Sequence, residues 1–168
     1  MTDYPHGYCG MPCALCTRCR TAGKSRCPGC SCDGYYTEPC KVHHCCRSKK
    51  LEQCGECPEF PCVKLGNMGD FRDLNTNNAK MRNCRAVASA GFEAWYAEYA
   101  ERADMLTEAL ENYNDGRMKR FLCELFIRRS ISDLRDIMLR ARNLTGTLKE
   151  KGKALRELAE SSSGKSDL

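Results

Sequence analysis

Thirteen cysteines lie between Cys9 and Cys62, and only Cys84 and Cys123 fall outside that span. No other feature restricts the fold so strongly. Residues 1–66 hold just eight of the residue types that build cores: Met1, Met11, Leu15, Val42, Leu51, Phe60, Val63 and Leu65. So few apolar side chains cannot offset the chain entropy of a segment that long. The segment needs covalent or metal staples.

Compartment separates those two options. The opening MTDYPHGYCG has neither a basic start nor an apolar stretch, so no secretory leader is expected. No run approaches the roughly 18 apolar residues of a membrane span. The expectation is a cytoplasmic chain with no membrane partner. Dense cysteines in a reducing compartment point to metal rather than disulfides. The odd total of 15 also fits poorly with a complete disulfide framework. Asn143-Leu144-Thr145 matches a glycosylation sequon, but a chain that is not exported never meets that machinery.

The formal charge is +5 with every thiol protonated. Metal binds thiolate, and each four-cysteine zinc site carries −2. Two such sites would bring the chain to about +1, so the basic balance says little about an anionic partner.

Three parts are expected: a metal-binding module over 1–66, a helical bundle segment over 67–148, and a charged helical extension with a disordered tail over 149–168. The fold class is mainly α, with an irregular, metal-stapled N-terminal module of knuckles and short hairpins packed on a small bundle. The helical reading rests on apolar spacing. Thr76 or Asn77 can cap a helix running through Val87, with Gly91 near its end. Phe92, Trp95, Tyr96, Tyr99, Ala103 and Leu106 continue at helical spacing. Asn112 to Gly116 is a break, and Met118, Phe121, Leu122, Leu125 and Phe126 form the next stripe. Ser130 or Ser132 can cap a helix with the face Leu134, Ile137, Met138, Ala141 and Leu148. Gly152 weakens a last helix over 149–160, and the tail begins at Ser161. Phe92, Trp95, Phe121, Leu125 and Ile137 are the expected core.

Zinc sites favour short chelating pairs, because a tight turn aims both thiolates at one ion. One frame is Cys13-x2-Cys16-x10-Cys27-x2-Cys30. A second draws on Cys40, Cys45, Cys54 and Cys57, and Cys9 and Cys62 can complete or replace a ligand. Cys13-x2-Cys16-x2-Cys19 also has the flavour of an iron–sulfur ligand run, which would make the chain an electron-transfer or redox-sensing protein. A thioredoxin-like dithiol would need a βαβ context that Cys27-Pro-Gly-Cys30 and Cys54-Gly-Glu-Cys57 lack.

Tyr8-Cys9-Gly10, Cys13, Cys16, Cys27-Pro-Gly-Cys30, Cys40, Cys45 and Cys54-Gly-Glu-Cys57-Pro-Glu-Phe-Pro-Cys62 follow in a characteristic order. Beyond them come Gly91-Phe-Glu-Ala-Trp95 and Tyr113-Asn-Asp-Gly-Arg117 with Phe121 and Cys123. Over roughly residues 8–140 the chain resembles the cysteine-rich, zinc-binding domain-of-unknown-function family numbered 3795, found in bacteria and archaea. The resemblance implies a zinc module with no established activity. It implies as ligands Cys9, Cys13, Cys16, Cys27, Cys30, Cys40, Cys45, Cys54, Cys57 and Cys62; the two spacing frames lead to the expectation of two zinc ions. Cys19, Cys32 and Cys46 lie outside that pattern.

Other residues read more plainly. His43 and His44 flank Cys45 and could each replace a cysteine, though exposed turn histidines are commoner. His6 reads as a terminal residue. Arg18, Arg20, Lys24 and Arg26, with Tyr35 and Tyr36, have the chemistry of a single-stranded nucleic-acid binder. A loop that neutralises thiolate charge explains the same residues, and no reader helix follows them. Cys84 and Cys123 sit in helical segments as small hydrophobes. No phosphate-binding loop, zinc-protease or serine-hydrolase motif is present, and Glu56 and Glu59 are the only acids placed for a catalytic zinc. The reading is a binding or regulatory module with structural zinc and a protein partner.

Overall fold

The structure is a computed structural model that describes residues 4–32, 37–66 and 79–161. Among the described residues, seven helices run in chain order: α1 Lys41–Lys49, α2 Val63–Gly66, α3 Lys80–Ala90, α4 Phe92–Tyr113, α5 Lys119–Arg128, α6 Ile131–Ala141 and α7 Leu148–Ser161. Two 3₁₀ turns, Cys13–Leu15 and Cys54–Glu56, punctuate the cysteine-rich segment. The fold is mainly helical, as expected. Among the described residues no strand occurs, so the expected hairpins are not found there. Helix takes their place because Cys40 starts α1 as its N-cap, its Sγ accepting from the His43 amide at 3.4 Å.

The chain forms two compact units, residues 1–100 and 101–168. The change in composition at residue 66 and the change in compactness at residue 100 are therefore different boundaries. Thr76 and Asn77, Tyr35 and Tyr36, and the tail after Ser161 lie outside the described residues.

In the first unit, α3 and the start of α4 carry the cysteine-rich segment. Gly91 separates the two helices. Its φ of 87° is open to glycine at no steric cost, and its amide closes the last turn on Val87 O at 2.8 Å. Two close approaches seat the loops on α3. A side chain at Gly10 would stand 2.8 Å from Cys84 Sγ, and one at Gly55 would stand 2.7 Å from Val87 Cβ. Asn83 Nδ2 donates to Gly10 O at 2.8 Å, which fixes the same loop from its polar side.

The tyrosines of α4 hold the N-terminal run. Tyr99 Oη donates to Pro5 O and accepts from the Ala14 amide at 2.7 Å. The Tyr4 amide donates to Tyr96 Oη at 2.8 Å. Trp95 stacks on Tyr99 with ring centroids 4.9 Å apart. His6 is a correction to the sequence reading, because it is 1% exposed rather than a free terminal residue. Its ring lies 5.2 Å from Phe92 and is edged by Tyr8, Trp95 and Tyr96. Its Nε2 meets Glu52 O at 3.1 Å.

The second unit has an ordinary apolar core, with Leu106, Leu122, Cys123, Phe126, Leu134, Ile137, Met138 and Leu155 essentially inaccessible. Phe126 holds the central place expected of Phe121, which is only half-buried and lies under the Arg156 guanidinium at 4.6 Å. Ser130 caps α6, accepting from the Asp133 amide at 3.1 Å. That helix ends at Ala141, so Leu148 belongs to α7 and is exposed rather than on the α6 face. Thr147 and Glu150 cap α7 reciprocally, with Thr147 N donating to Glu150 Oε2 at 2.9 Å and Glu150 N donating to Thr147 Oγ1 at 3.3 Å. The sequence reading missed this capping box, whose signal is the Thr-x-x-Glu spacing at the helix start. Gly152 is buried, and a side chain there would stand 2.6 Å from Tyr113 O. The glycine allows close packing that its low helix propensity hides.

Candidate metal centre

None of the fifteen cysteines is in a disulfide. Those of the N-terminal segment fall into three neighbourhoods, and the turns dictate the grouping. The first contains Cys9, Cys13, Cys30 and Cys40. The 3₁₀ turn buries Cys13, whose Sγ accepts from the Cys30 amide at 3.5 Å. The Cys13 thiol also donates to the Cys30 sulfur, so Cys13 titrates well above the usual thiol range and Cys30 below it. Burial pushes Cys9 up to about 12, while the Met11 amide pulls the other way and the charges of Cys30 and Cys40 add to the rise. Cys9 and Cys13, with Cys30 and Cys40 packed against them, belong to a buried cluster that also holds Cys46, Cys54 and Cys84.

The second neighbourhood surrounds a cleft of about 370 Å³ lined by Cys45, Cys46, Cys54, Cys57 and Cys62, with Leu51, Phe60 and Pro61 as apolar wall. Cys46 Sγ and Cys54 Sγ are buried and 3.6 Å apart. The Cys54 thiol is raised first by its hydrogen bond with Cys46 and then by burial. Two ammonium groups reach the other sulfurs: Lys49 Nζ donates to Cys57 Sγ at 3.6 Å and Lys64 Nζ to Cys45 Sγ at 3.5 Å. Lys49 is anchored in turn by Glu59 at 2.9 Å. Glu59 therefore holds a lysine, and Glu56 Oε2 accepts from the amides of Glu52 and Gln53 at 2.7 and 3.2 Å. Glu59 is thus taken up by an ion pair and Glu56 by the turn.

The third neighbourhood is Cys16, Cys19 and Cys27. Burial raises Cys16 and Cys19, and the charge of Cys27 adds to both. The basic loop serves this group. Arg20 Nε donates to Ala14 O, and Arg26 Nε donates to Cys19 O at 3.1 Å. The frame Cys13–Cys16–Cys27–Cys30 is thus divided, with Cys13 beside Cys30 and Cys16 beside Cys27.

The remaining sequence candidates separate clearly. His43 is buried on α1 with its ring 5.1 Å from Tyr8, and His44 is exposed with Nε2 on Glu38 O at 2.6 Å. Cys84 is fully buried on α3 between Cys9 and Cys54. Burial raises its pKa above the usual thiol range, and the Gly55 amide offsets this only in part. Cys123 is fully buried in the second unit. Cys32 is exposed.

The donor set suits a thiophilic divalent ion. A tetrahedral zinc with Zn–S near 2.3 Å sets its sulfurs about 3.8 Å apart, and the Cys46–Cys54 separation of 3.6 Å is close to that edge. Among the described residues, no group of three or more His, Cys, Asp or Glu side chains is assembled so that it could hold a metal ion. The thiols are gathered as neighbourhoods rather than closed coordination shells. A thiol raised by burial and by neighbouring sulfurs keeps its proton until a cation supplies the opposing charge.

Among the described residues, no helix is long and apolar enough to cross a membrane. No family model, no curated protein and no solved structure matches the chain.

Proposed function

We propose that this chain is a zinc-binding module whose metal is structural and whose surface recruits a protein partner. One zinc is held by Cys9, Cys13, Cys30 and Cys40, and a second by Cys46, Cys54, Cys57 and Cys62. The observation that carries this reading is the buried Cys46–Cys54 pair at 3.6 Å on a five-cysteine cleft. The resemblance to the zinc-binding family numbered 3795 points the same way. In each neighbourhood the metal supplies the countercharge that lets buried thiols ionise. It also supplies folding free energy on the order of 10 kcal/mol per site, in a segment with few core residues.

The iron–sulfur reading needs Cys13, Cys16 and Cys19 to converge. Cys13 takes a hydrogen bond from the Cys30 amide, while Cys16 and Cys19 share the charge of Cys27, a division that supports zinc over a single cluster. In the nucleic-acid reading, Arg20 and Arg26 keep their charge but already spend their Nε–H on backbone carbonyls of the loop.

Metal analysis with an absorption spectrum, on protein purified without oxygen, tests the proposal. Colourless protein carrying zinc is expected. Brown protein with iron and acid-labile sulfide would overturn it.

A further inference from the structure

The end of α1 folds the chain back so that two of its sulfurs face each other. Lys50 follows the helix with φ at 56°. Its amide donates to Arg47 O at 3.2 Å, and the Leu51 amide donates to Cys46 O at 3.0 Å. Paired bonds of this kind close a helix and reverse the chain. Three residues later comes the 3₁₀ turn of Cys54. The Cys54 amide pins that turn to Tyr8 O at 2.7 Å, and Gly55 packs on Val87 of α3. Cys46 and Cys54 thus meet with their Sγ atoms 3.6 Å apart, at 2% and 7% exposure. Both line the cleft of about 370 Å³. That space admits a small peroxide, which is not much larger than water at about 30 Å³.

A disulfide sets its sulfurs about 2.05 Å apart, so this pair has roughly 1.5 Å to close. Torsional adjustment of two cysteine side chains covers such a gap. Their neighbours on the cleft are held by lysines instead, Cys45 by Lys64 at 3.5 Å and Cys57 by Lys49 at 3.6 Å. We infer that Cys46 and Cys54 form a reversible disulfide when the protein meets hydrogen peroxide. One S–S bond forms and the peroxide O–O bond breaks. The sulfurs give up two electrons, and the oxygens leave as two waters. The two protons come from the thiols or, where the sulfurs are metal-bound thiolates, from solvent. A dithiol returns the electrons by exchange and leaves as its own disulfide. The bond itself needs only these two sulfurs. Its consequence rests on the zinc reading: oxidation removes two of the four ligands proposed for the second zinc and releases that ion.

Disulfide mapping of the wild-type protein, purified without oxygen and treated with one equivalent of hydrogen peroxide, tests this. Remaining thiols are alkylated and the protein is cut with trypsin. Cleavage at Arg47 and Lys50 puts Cys46 and Cys54 on separate peptides, so the link joins two peptides and fragmentation assigns its sulfurs. The expected result is a predominant Cys46–Cys54 link that dithiothreitol reverses, with one zinc released per link to a colorimetric chelator. A first link at Cys13–Cys30 or through Cys45, or no disulfide at all, overturns the inference and leaves the zinc reading standing. A Cys46–Cys54 link in protein that carried no zinc at the outset keeps the disulfide and overturns the zinc reading. Zinc that stays bound while the link forms overturns the proposed release.

Discussion

Cys46 Sγ lies 3.6 Å from Cys54 Sγ, while its chain neighbour Cys45 turns outward and takes a hydrogen bond from Lys64. Adjacent residues on a helix point about 100° apart, so the two thiols of α1 meet different surroundings. Cys46 is 2% exposed and Cys45 is half-exposed. Cys46→Ser should remove one zinc per chain and destabilise the first unit by roughly 3 kcal/mol or more. Cys45→Ser should retain the metal and cost under about 1 kcal/mol. Zinc content and urea midpoints of the two variants check this, and equal losses would refute the difference in roles.

Chelation should act unevenly along the chain. The amides of residues 4–66 should lose hydrogen-exchange protection, since few core residues remain to hold them. Those of α5, α6 and α7 should keep it, because Leu122, Phe126, Leu134, Ile137 and Leu155 are buried without help from metal. Exchange followed by mass spectrometry reads both regions in one sample, and uniform behaviour would sink the stapling argument.

Two glycine substitutions run against propensity. Gly152→Ala should gain about 1 kcal/mol of helix propensity, yet its new methyl would press on Tyr113 O at 2.6 Å. Gly55→Ala meets Val87 Cβ at 2.7 Å. Each should destabilise the protein by about 1–3 kcal/mol. Thermal or urea unfolding decides the sign, and a stabilised Gly152→Ala would show that the neighbouring backbone yields.

His6 predicts an acid sensitivity. Burial lowers its pKa below the ordinary 6.5, and the Glu52 carbonyl and carboxylate offset this only in part. The unfolded chain therefore takes up the proton more readily than the folded one. The associated stability is fully present above pH 6.5 and is lost as pH falls from there through the folded value. His6→Gln has no such titration, so wild type should lose stability relative to the variant below pH 6.5. Parallel unfolding curves at pH 7.5 and 5.5 measure the change. A constant difference between the two proteins would refute the assignment.

Much of the helical part was legible because its signals are local. Ser130, Gly91 and the break after Asn112 mark helix ends within a few residues of the stripes they bound. His6 was not legible, since the rings that bury it come from Phe92, Trp95 and Tyr96, far along the chain. The grouping of thiols escaped for a related reason. Cys13 and Cys16 are three residues apart, yet the turn between them sends one to Cys30 and the other to Cys27. Spacing shows which cysteines are close in the chain, and only the return path shows which meet.

The tyrosine anchors of α4 carry a consequence for synthesis. Tyr96 and Tyr99 grip Tyr4 and Ala14 across 92 and 85 residues of chain. A ribosome adding about 5–20 residues per second delivers the anchors on the order of 5–20 s after the segment they hold. All thirteen clustered cysteines are made within that interval. Until α3 and α4 have been made the nascent segment lacks the helices it lies on, and its sources of order are α1, its own turns and whatever its thiols can bind.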